Sequence, residues 1–164
     1  MEFFTERKNF FQTLKTLPGR FWLLNIMQMV ERLAYWVVLL QLPVYIAQKD
    51  APGGLMWGMD TKGIIYFWWA LVQNMTAFFA GAYADRFGFK KTLLISFFIV
   101  AVSYLLQGSN REYYPFLAAT LLLGFGSGIF KSTLLGGVAD SLNEKNSSVG
   151  WGIYVMLVNL AVFF

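Results

Sequence analysis

The sequence predicts an all-α integral membrane protein, a bundle of transmembrane helices, from three observations. First, 57% of its 164 residues are hydrophobic and only 13% are charged, whereas soluble proteins average about 25% charged residues. Second, the mean hydropathy is +0.53. Third, five apolar segments approach or exceed the roughly 20 residues that a helix needs to cross a bilayer. None of them shows the alternation that is typical of a membrane β-barrel.

The chain divides at about residue 20. Residues 1–20 are predicted to form a cytoplasmic N-terminal segment, either a helix on the membrane surface or a flexible tail. Residues 21–164 are predicted to form the transmembrane bundle, with loops rich in turn formers and charges between its helices. The predicted spans are about residues 21–46, 63–84, 92–108, 115–137 and 149–164.

Lysines and arginines are distributed unequally between the two sides of this topology. Eight of them lie in the N-terminal tail and in the loops after the second and fourth spans, against three on the opposite side. The positive-inside rule therefore predicts a cytoplasmic N-terminus in a cell membrane, plasma or inner. The net charge of +4 follows from this loop distribution and does not indicate binding to nucleic acid.

The first span carries a stripe of polar and charged side chains. At about 100° per residue, these side chains fall within roughly 120° of the helix surface. They are Asn25, Gln28, Glu31, Arg32 and Tyr35. A charge at the centre of the bilayer costs about 2.5–3.5 kcal/mol on the insertion scale, so the stripe must face protein or water. The charges form either a structural ion pair or a functional site.

The fourth span carries a lysine, Lys131, within an apolar, glycine-rich segment. The glycines Gly124, Gly126 and Gly128 permit the close approach of a neighbouring backbone, as small residues do between membrane helices. Lys131 is therefore expected to be a buried ammonium on a face that meets another helix. Since Glu31 is the one carboxylate well inside a span, the simplest pairing joins it to Lys131 or to Arg32 across the bundle.

Such a pair suggests proton coupling. Burial disfavours the charged form of a carboxylate and a neighbouring cation favours it, so moving the cation away would allow Glu31 to take up a proton. The chain has no histidine, which leaves carboxylates as the proton carriers. Asn74 and Asn159 either line a polar cavity or form hydrogen bonds between helices. The candidate substrate-binding residues are Gln28, Tyr35, Asn74 and Asn159.

The loop after the second span, within GAYADRFGFKK, resembles the G-x-x-x-D-R-x-G-R-K/R-K/R loop of the major facilitator superfamily. The matching residues are Gly81, Asp85, Arg86, Gly88, Lys90 and Lys91, and Phe89 departs from the pattern. The resemblance implies a major facilitator-type bundle, of which this chain holds five helices of the N-terminal six-helix half. The resemblance also implies that Gly81 permits close packing, that Gly88 makes the turn, and that the Asp–Arg charges can form a cytoplasmic latch between the two halves.

The stretch PGRFWLLNIMQMVERLAYW is similar to the first-helix signature E-x-x-E-R-F-x-Y-Y of the proton-dependent oligopeptide transporter family. The positions that match this family along the chain are Glu31, Arg32, Tyr35, Lys131 and Asn159. Gln28 replaces the first Glu of the signature, so proton coupling would rest on Glu31. Leu39 stands where peptide transporters of the family often carry a second Arg, which makes a peptide the weaker inference as substrate.

The resemblance implies a proton-coupled symporter that imports di- or tripeptides, or similar small organic solutes, by alternating access. The alternatives are proton-coupled transport of drugs or another solute, and a truncated membrane protein without transport. The fifth span runs to Phe164 without a polar flank, so we expect the N-terminal part of a longer transporter. The expected partners are protons, a small-molecule substrate, the lipid bilayer and the missing C-terminal half. No enzyme activity, cofactor or metal site is expected.

Overall fold

A computed structural model of the chain describes residues 10–47 and 54–163. Within these ranges the backbone is helical and contains no strand, which confirms the predicted all-helical fold. After a short helical segment at residues 10–16, five long helices follow one another. They are α1 (Gly19–Ala47), α2 (Met59–Phe87), α3 (Phe89–Ser109), α4 (Tyr113–Ser141) and α5 (Ser147–Phe163). Residues 1–9 of the predicted N-terminal segment lie outside the described residues.

Length and composition suit three of these helices, α1, α3 and α4, for crossing a membrane, and α5 is apolar but shorter. The helices extend beyond the predicted spans, because a charged residue ends an apolar run without ending the backbone hydrogen bonding of a helix. In α2, for example, the helix begins at Met59 and includes Asp60 and Lys62. The chain is therefore a multi-pass helical membrane protein.

The chain divides into two compact units. One comprises Met1–Val38 together with Gly137–Phe164, and the other comprises Leu39–Gly136. The first unit holds most of α1, the last residues of α4 and all of α5. The second holds the end of α1, all of α2 and α3, and most of α4. The charged stripe of α1 belongs to the first unit, and the loop between α2 and α3 belongs to the second.

Helix α1 continues through Pro43, which lacks the N–H that would bond to the carbonyl of Leu39 four residues earlier. The carbonyl oxygen of Leu39 instead accepts a hydrogen bond from the hydroxyl of Tyr66 on α2, at 3.1 Å. A side chain of a neighbouring helix thus satisfies the backbone group that the proline leaves without its helical partner. This is how a membrane helix tolerates a proline away from water.

Helices α3 and α4 pack antiparallel in the Leu39–Gly136 unit. Near the end of α3, Gln107 Nε2 donates to Thr120 Oγ1 at 2.9 Å, close to the beginning of α4. Nearer the start of α3, the ring of Phe97 lies 6.2 Å from that of Phe130, further along α4. Both Gln107 and Thr120 are buried, so this hydrogen bond satisfies polar groups that would otherwise be costly in an apolar interior.

Helices α2 and α4 run parallel and meet at two glycines of α4. A Cβ atom at Gly124 would lie 3.0 Å from the carbonyl oxygen of Trp69. One at Gly128 would lie only 2.6 Å from the carbonyl oxygen of Gln73. The obstacle is backbone at both positions, so it cannot move aside as a side chain would. The expected close approach at these glycines is therefore confirmed.

Candidate functional site

The polar stripe of α1 is largely buried. Asn25 is fully buried, and Gln28 and Glu31 are each only 3% exposed. These residues follow one another at intervals of three, so they lie on one side of the helix, offset by about 60° per step. A buried carboxylate in an otherwise apolar helix needs a counter-charge or hydrogen bonds to be stable. The partner of Glu31 is therefore the first thing to establish about this site.

That partner is Arg32, the next residue in the chain. Arg32 Nε lies 2.8 Å from Glu31 Oε2, with side-chain exposures of 11% and 1% respectively. The pair was expected to span the bundle, but it forms within one helix. Neighbouring residues of a helix point in different directions, so the N–H of Arg32 is poorly aligned with the carboxylate. The guanidinium also lies over the ring of Tyr35, 5.0 Å from its centroid.

The stripe retains polar atoms that make no hydrogen bond among the described residues. They are Asn25 Oδ1, Gln28 Oε1 and Arg32 Nη2, all buried. Asn25 uses its Nδ2 to donate to the carbonyl of Phe21 at 2.8 Å, which leaves its oxygen as an unused acceptor. A buried polar group without a partner costs about 1–3 kcal/mol. Two acceptors and one charged donor along one stripe are suited to binding water or a polar ligand.

Helix α5 contributes Tyr154 to the surroundings of the pair, a residue that the sequence analysis did not select. Both Arg32 and Glu31 act electrostatically on this tyrosine. Asn159, which the sequence did select, lies five residues later and therefore about 140° around the helix from Tyr154. Asn159 is exposed, and its Nδ2 donates to the carbonyl of Val155 at 2.9 Å. Tyr154 is thus a residue of α5 near enough to the charged pair to interact with it electrostatically.

Lys131 of α4 is exposed, which corrects the expectation of a buried ammonium. The seam between α4 and α2 follows Gly124, Gly128 and Ser132, whose Oγ lies 3.4 Å from the position of a Cβ at Gly81. Each step of four residues rotates the contact by about 40° around α4. Near Lys131, the residue of α4 that contacts α2 is therefore Ser132. Lys131 lies about 100° from Ser132 around the helix and points away from this contact.

Asn74 lies on α2 and is exposed, with its Nδ2 donating to the carbonyl of Ala70 at 2.7 Å. An amide bonded to its own helix keeps its carbonyl oxygen for another partner. Asn74 and Lys131 belong to the Leu39–Gly136 unit, whereas Glu31, Arg32, Gln28 and Tyr35 belong to the other.

The loop between α2 and α3 is a single residue, Gly88, with a positive φ of 88°. Its N–H donates to the carbonyl of Ala84 at 2.9 Å, which closes the end of α2. This left-handed conformation favours glycine, in agreement with the turn expected from the motif. The four charged residues of the motif, Asp85, Arg86, Lys90 and Lys91, are all exposed. At Gly81, a Cβ would meet Ser132 at 3.4 Å, so α4 approaches less closely there than at Gly128.

An ion pair that sequence reasoning missed joins Arg20 to Asp140. Arg20 Nη1 lies 2.9 Å from Asp140 Oδ2, and both side chains are about half exposed. Arg20 is the second residue of α1 and Asp140 the penultimate residue of α4. Each charge stands at the unfavourable end of its own helix dipole, so the pair offsets both. Because they are 120 positions apart in the sequence, no local pattern relates the two.

The chain is similar in sequence to a family of known proteins. A family model described as Major Facilitator Superfamily matches residues 24–164. The Peptide transporter PTR2 of Saccharomyces cerevisiae is 27% identical over 149 residues, covering 81% of this chain and 24% of PTR2. The Peptide transporter PTR_C of Candidozyma auris is 26% identical over 157 residues, covering 88% of this chain and 27% of PTR_C.

A relative of a different kind is the Multidrug resistance protein 2 of Bacillus subtilis, 29% identical over 94 residues, which cover 56% of this chain and 24% of that protein. The chain thus spans about a quarter of the length of the curated relatives it matches. No solved structure matches the chain.

Proposed function

The chain belongs to the Major Facilitator Superfamily, and on that premise we propose that it is the N-terminal part of a proton-coupled symporter. The family points to a transporter rather than an enzyme. The proposed cargo is a di- or tripeptide, or a small organic solute of similar size. Substrate binds near the middle of the membrane, and the two halves of the complete transporter rock about it to give alternating access.

The observation that carries this proposal is the buried pair of Glu31 and Arg32. Ionisable residues inside membrane helices are rare, costly and usually functional. A purely structural ion pair would be expected to satisfy its groups with well-aligned hydrogen bonds. Here the two charges are adjacent in one helix and poorly aligned, and Arg32 Nη2 donates no hydrogen bond within the described residues. The guanidinium is thus free to engage a further acceptor without leaving Tyr35.

Proton coupling follows from competition for Arg32. While Arg32 lies against Glu31, the carboxylate stays ionised; when an anionic group of the substrate draws the guanidinium away, Glu31 takes up a proton. The protonated Glu31 and the bound substrate then favour the same conformation of the transporter. This links the movement of the proton across the membrane to the movement of the substrate. Lys131 acts in this scheme as a second cation for the anionic group of the substrate or for Glu31.

The substrate contacts proposed from the sequence are the polar side chains of three helices: Gln28, Tyr35, Asn74 and Asn159. Gln28 Oε1 and Asn25 Oδ1 are buried acceptors without a hydrogen bond in the described residues, and they suit an ammonium or amide N–H of a substrate. Tyr154 joins this set because of its electrostatic interaction with the charged pair. Its hydroxyl can donate to a carboxylate or accept from an N–H.

The loop between α2 and α3 is proposed to act as the latch to the C-terminal half, the missing partner of this chain. The helix ends that flank it carry exposed residues of both signs of charge, which a reversible contact with the other half requires. They are Asp85, Arg86, Lys90 and Lys91. With the cationic loops on the cytoplasmic side, the N-terminus is cytoplasmic and the protein resides in the cell membrane.

A second cargo class is supported by one comparison. Multidrug resistance protein 2 is as similar in sequence as the peptide transporters, though over a shorter stretch. Leu39, moreover, stands where a second arginine would help to bind a peptide carboxylate. Proton-coupled movement of a drug-like organic solute is therefore the alternative. The same Glu31–Arg32 pair would couple it to protons.

The test is uptake by the complete protein in proteoliposomes with an imposed pH gradient, acidic outside. We expect a labelled dipeptide to accumulate, and Glu31→Gln to abolish accumulation while leaving exchange of the dipeptide across the membrane intact. Glu112→Gln makes the same chemical change at an exposed position and serves as the matched control.

Two results would overturn parts of the proposal. Full gradient-driven accumulation by Glu31→Gln would show that another group carries the proton. Gradient-driven movement of a lipophilic cationic dye without dipeptide uptake would replace the peptide with the drug-like cargo. It would also overturn the competition for Arg32, because a cation has no anionic group to draw the guanidinium away from Glu31.

A further inference from the structure

An apolar groove of about 680 Å³ opens on the Leu39–Gly136 unit, and the mechanism above does not use it. Its walls are side chains of α2 and α3, with α4 behind them. The outer walls include Phe79, Tyr83 and Ile95, which are all more than half exposed. Exposed aromatic and aliphatic groups around a groove mark a surface that is completed by an apolar ligand or by lipid.

The length of the groove along the helix axis is close to the thickness of one leaflet. It extends along α2 from Met75 to Phe87, a rise of twelve residue steps, which corresponds to about 18 Å at 1.5 Å per residue. Half of a hydrocarbon core of about 30 Å is roughly 15 Å. A transmembrane helix packed here would need a groove through both leaflets, whereas an acyl chain needs only this depth. The length therefore favours a lipid chain over a protein helix.

The end of the groove nearest the α2–α3 loop is cationic. Lys91 lines it, and the helix ends that flank the loop carry Arg86 and Lys90 against a single carboxylate, Asp85. Lys91 lies in the first turn of α3, whose N-terminus has no side-chain cap. The positive end of that helix dipole adds to the charge of Lys91. An anion is favoured here, at the level of the headgroups.

We propose that the groove binds one anionic phospholipid, because the groove is apolar, has about the length of one leaflet and ends in cationic side chains. An acyl chain lies between α2 and α3, and the phosphate of the headgroup contacts Lys91 at the start of α3. The lipid comes from the leaflet on the side of the α2–α3 loop. A lipid in this position contacts the predicted latch, so its binding would bias the movement of that loop. The site does not depend on the proposed proton coupling.

Quenching by brominated lipids tests this directly. The complete protein is used, with any cysteine outside these 164 residues replaced, since these residues themselves contain none. A fluorophore is attached to Ile95→Cys in the groove, in vesicles of phosphatidylcholine. Brominated phosphatidylglycerol is expected to reach half-maximal quenching at about five-fold lower mole fraction than brominated phosphatidylcholine, because one lysine favours an anionic lipid by about that factor. Lys91→Gln is expected to abolish the difference, and Lys145→Gln, at another exposed lysine, to leave it.

Leu94→Cys is the matched position, because it is the adjacent residue of α3, is equally exposed and lies outside the groove. There, both lipids are expected to quench equally. Equal quenching by both lipids at Ile95→Cys would mean general lipid contact only and would overturn the proposal. Quenching at Leu94→Cys without quenching at Ile95→Cys would mean that a protein segment covers the groove, and this would also overturn it.

Discussion

The carboxylate of Glu31 and the guanidinium of Arg32 lie 2.8 Å apart although the two residues are neighbours in α1. This arrangement brings the two opposite charges together within one helix. It also leaves the pair badly aligned, because adjacent helical residues diverge by about 100°. The pair is therefore buried as an ion contact without a well-aligned hydrogen bond.

The pair is expected to behave as a unit in unfolding experiments. Arg32→Gln leaves a buried carboxylate without its cation, which costs about 3–5 kcal/mol. The double variant Glu31→Gln/Arg32→Gln removes both charges and is expected to be less destabilised than Arg32→Gln alone. Unfolding titrations in mixed detergent micelles measure both. A double variant that loses the sum of the two single losses would show that the charges do not interact.

Tyr66→Phe removes the hydroxyl that bonds to the carbonyl of Leu39. We expect a loss of about 0.6 kcal/mol, and at most about 1.7 kcal/mol, in the free energy of unfolding, the average and the maximum for hydrogen bonds between membrane helices. In a Pro43→Ala background the alanine N–H restores the helical partner of that carbonyl, so the same substitution should cost less. An equal loss in both backgrounds would contradict this role of Tyr66. Tyr114→Phe, at an exposed tyrosine, is the control.

Gly128→Ala inserts a methyl group where the carbonyl oxygen of Gln73 lies 2.6 Å from the Cβ position. Separating the two backbones is expected to cost about 1–3 kcal/mol. Gly63→Ala is the matched control in α2, because nothing lies within 4 Å of a Cβ there and alanine is the better helix former by up to about 1 kcal/mol. Thermal unfolding followed by circular dichroism should therefore move in opposite directions for the two. A Gly128→Ala variant as stable as Gly63→Ala would refute the tight contact between α2 and α4.

The exposed pair of Arg20 and Asp140 is expected to add little to stability. A double-mutant cycle with Arg20→Gln and Asp140→Asn should give a coupling of about 0.2–1 kcal/mol at physiological salt. At 1 M salt, where the screening length falls to about 3 Å, the coupling should shrink towards zero. A coupling above about 2 kcal/mol that resists salt would mean that the pair is buried in the complete protein.

Several features were predicted correctly because they depend on one helix at a time. The scarcity of charges and the length of the apolar runs require a helical membrane bundle. The cost of a charge in lipid requires the stripe around Glu31 to be covered, and it is. The turn at Gly88 follows from a motif that places glycine between two helices, and the structure gives this glycine a positive φ. In each case the physical constraint acts on a few adjacent residues.

Other features depend on how helices cross, and periodicity does not contain that information. Lys131 shares a helix face with Gly124 by spacing, yet it is exposed because the seam with α2 rotates around α4 to Ser132. Likewise, only the packing brings Tyr66 to Leu39 and Arg20 to Asp140. A sequence places each side chain at an angle on its own helix. Only the tertiary structure decides which of these side chains contacts a neighbouring helix at each position along the axis, because this depends on how the two helices cross.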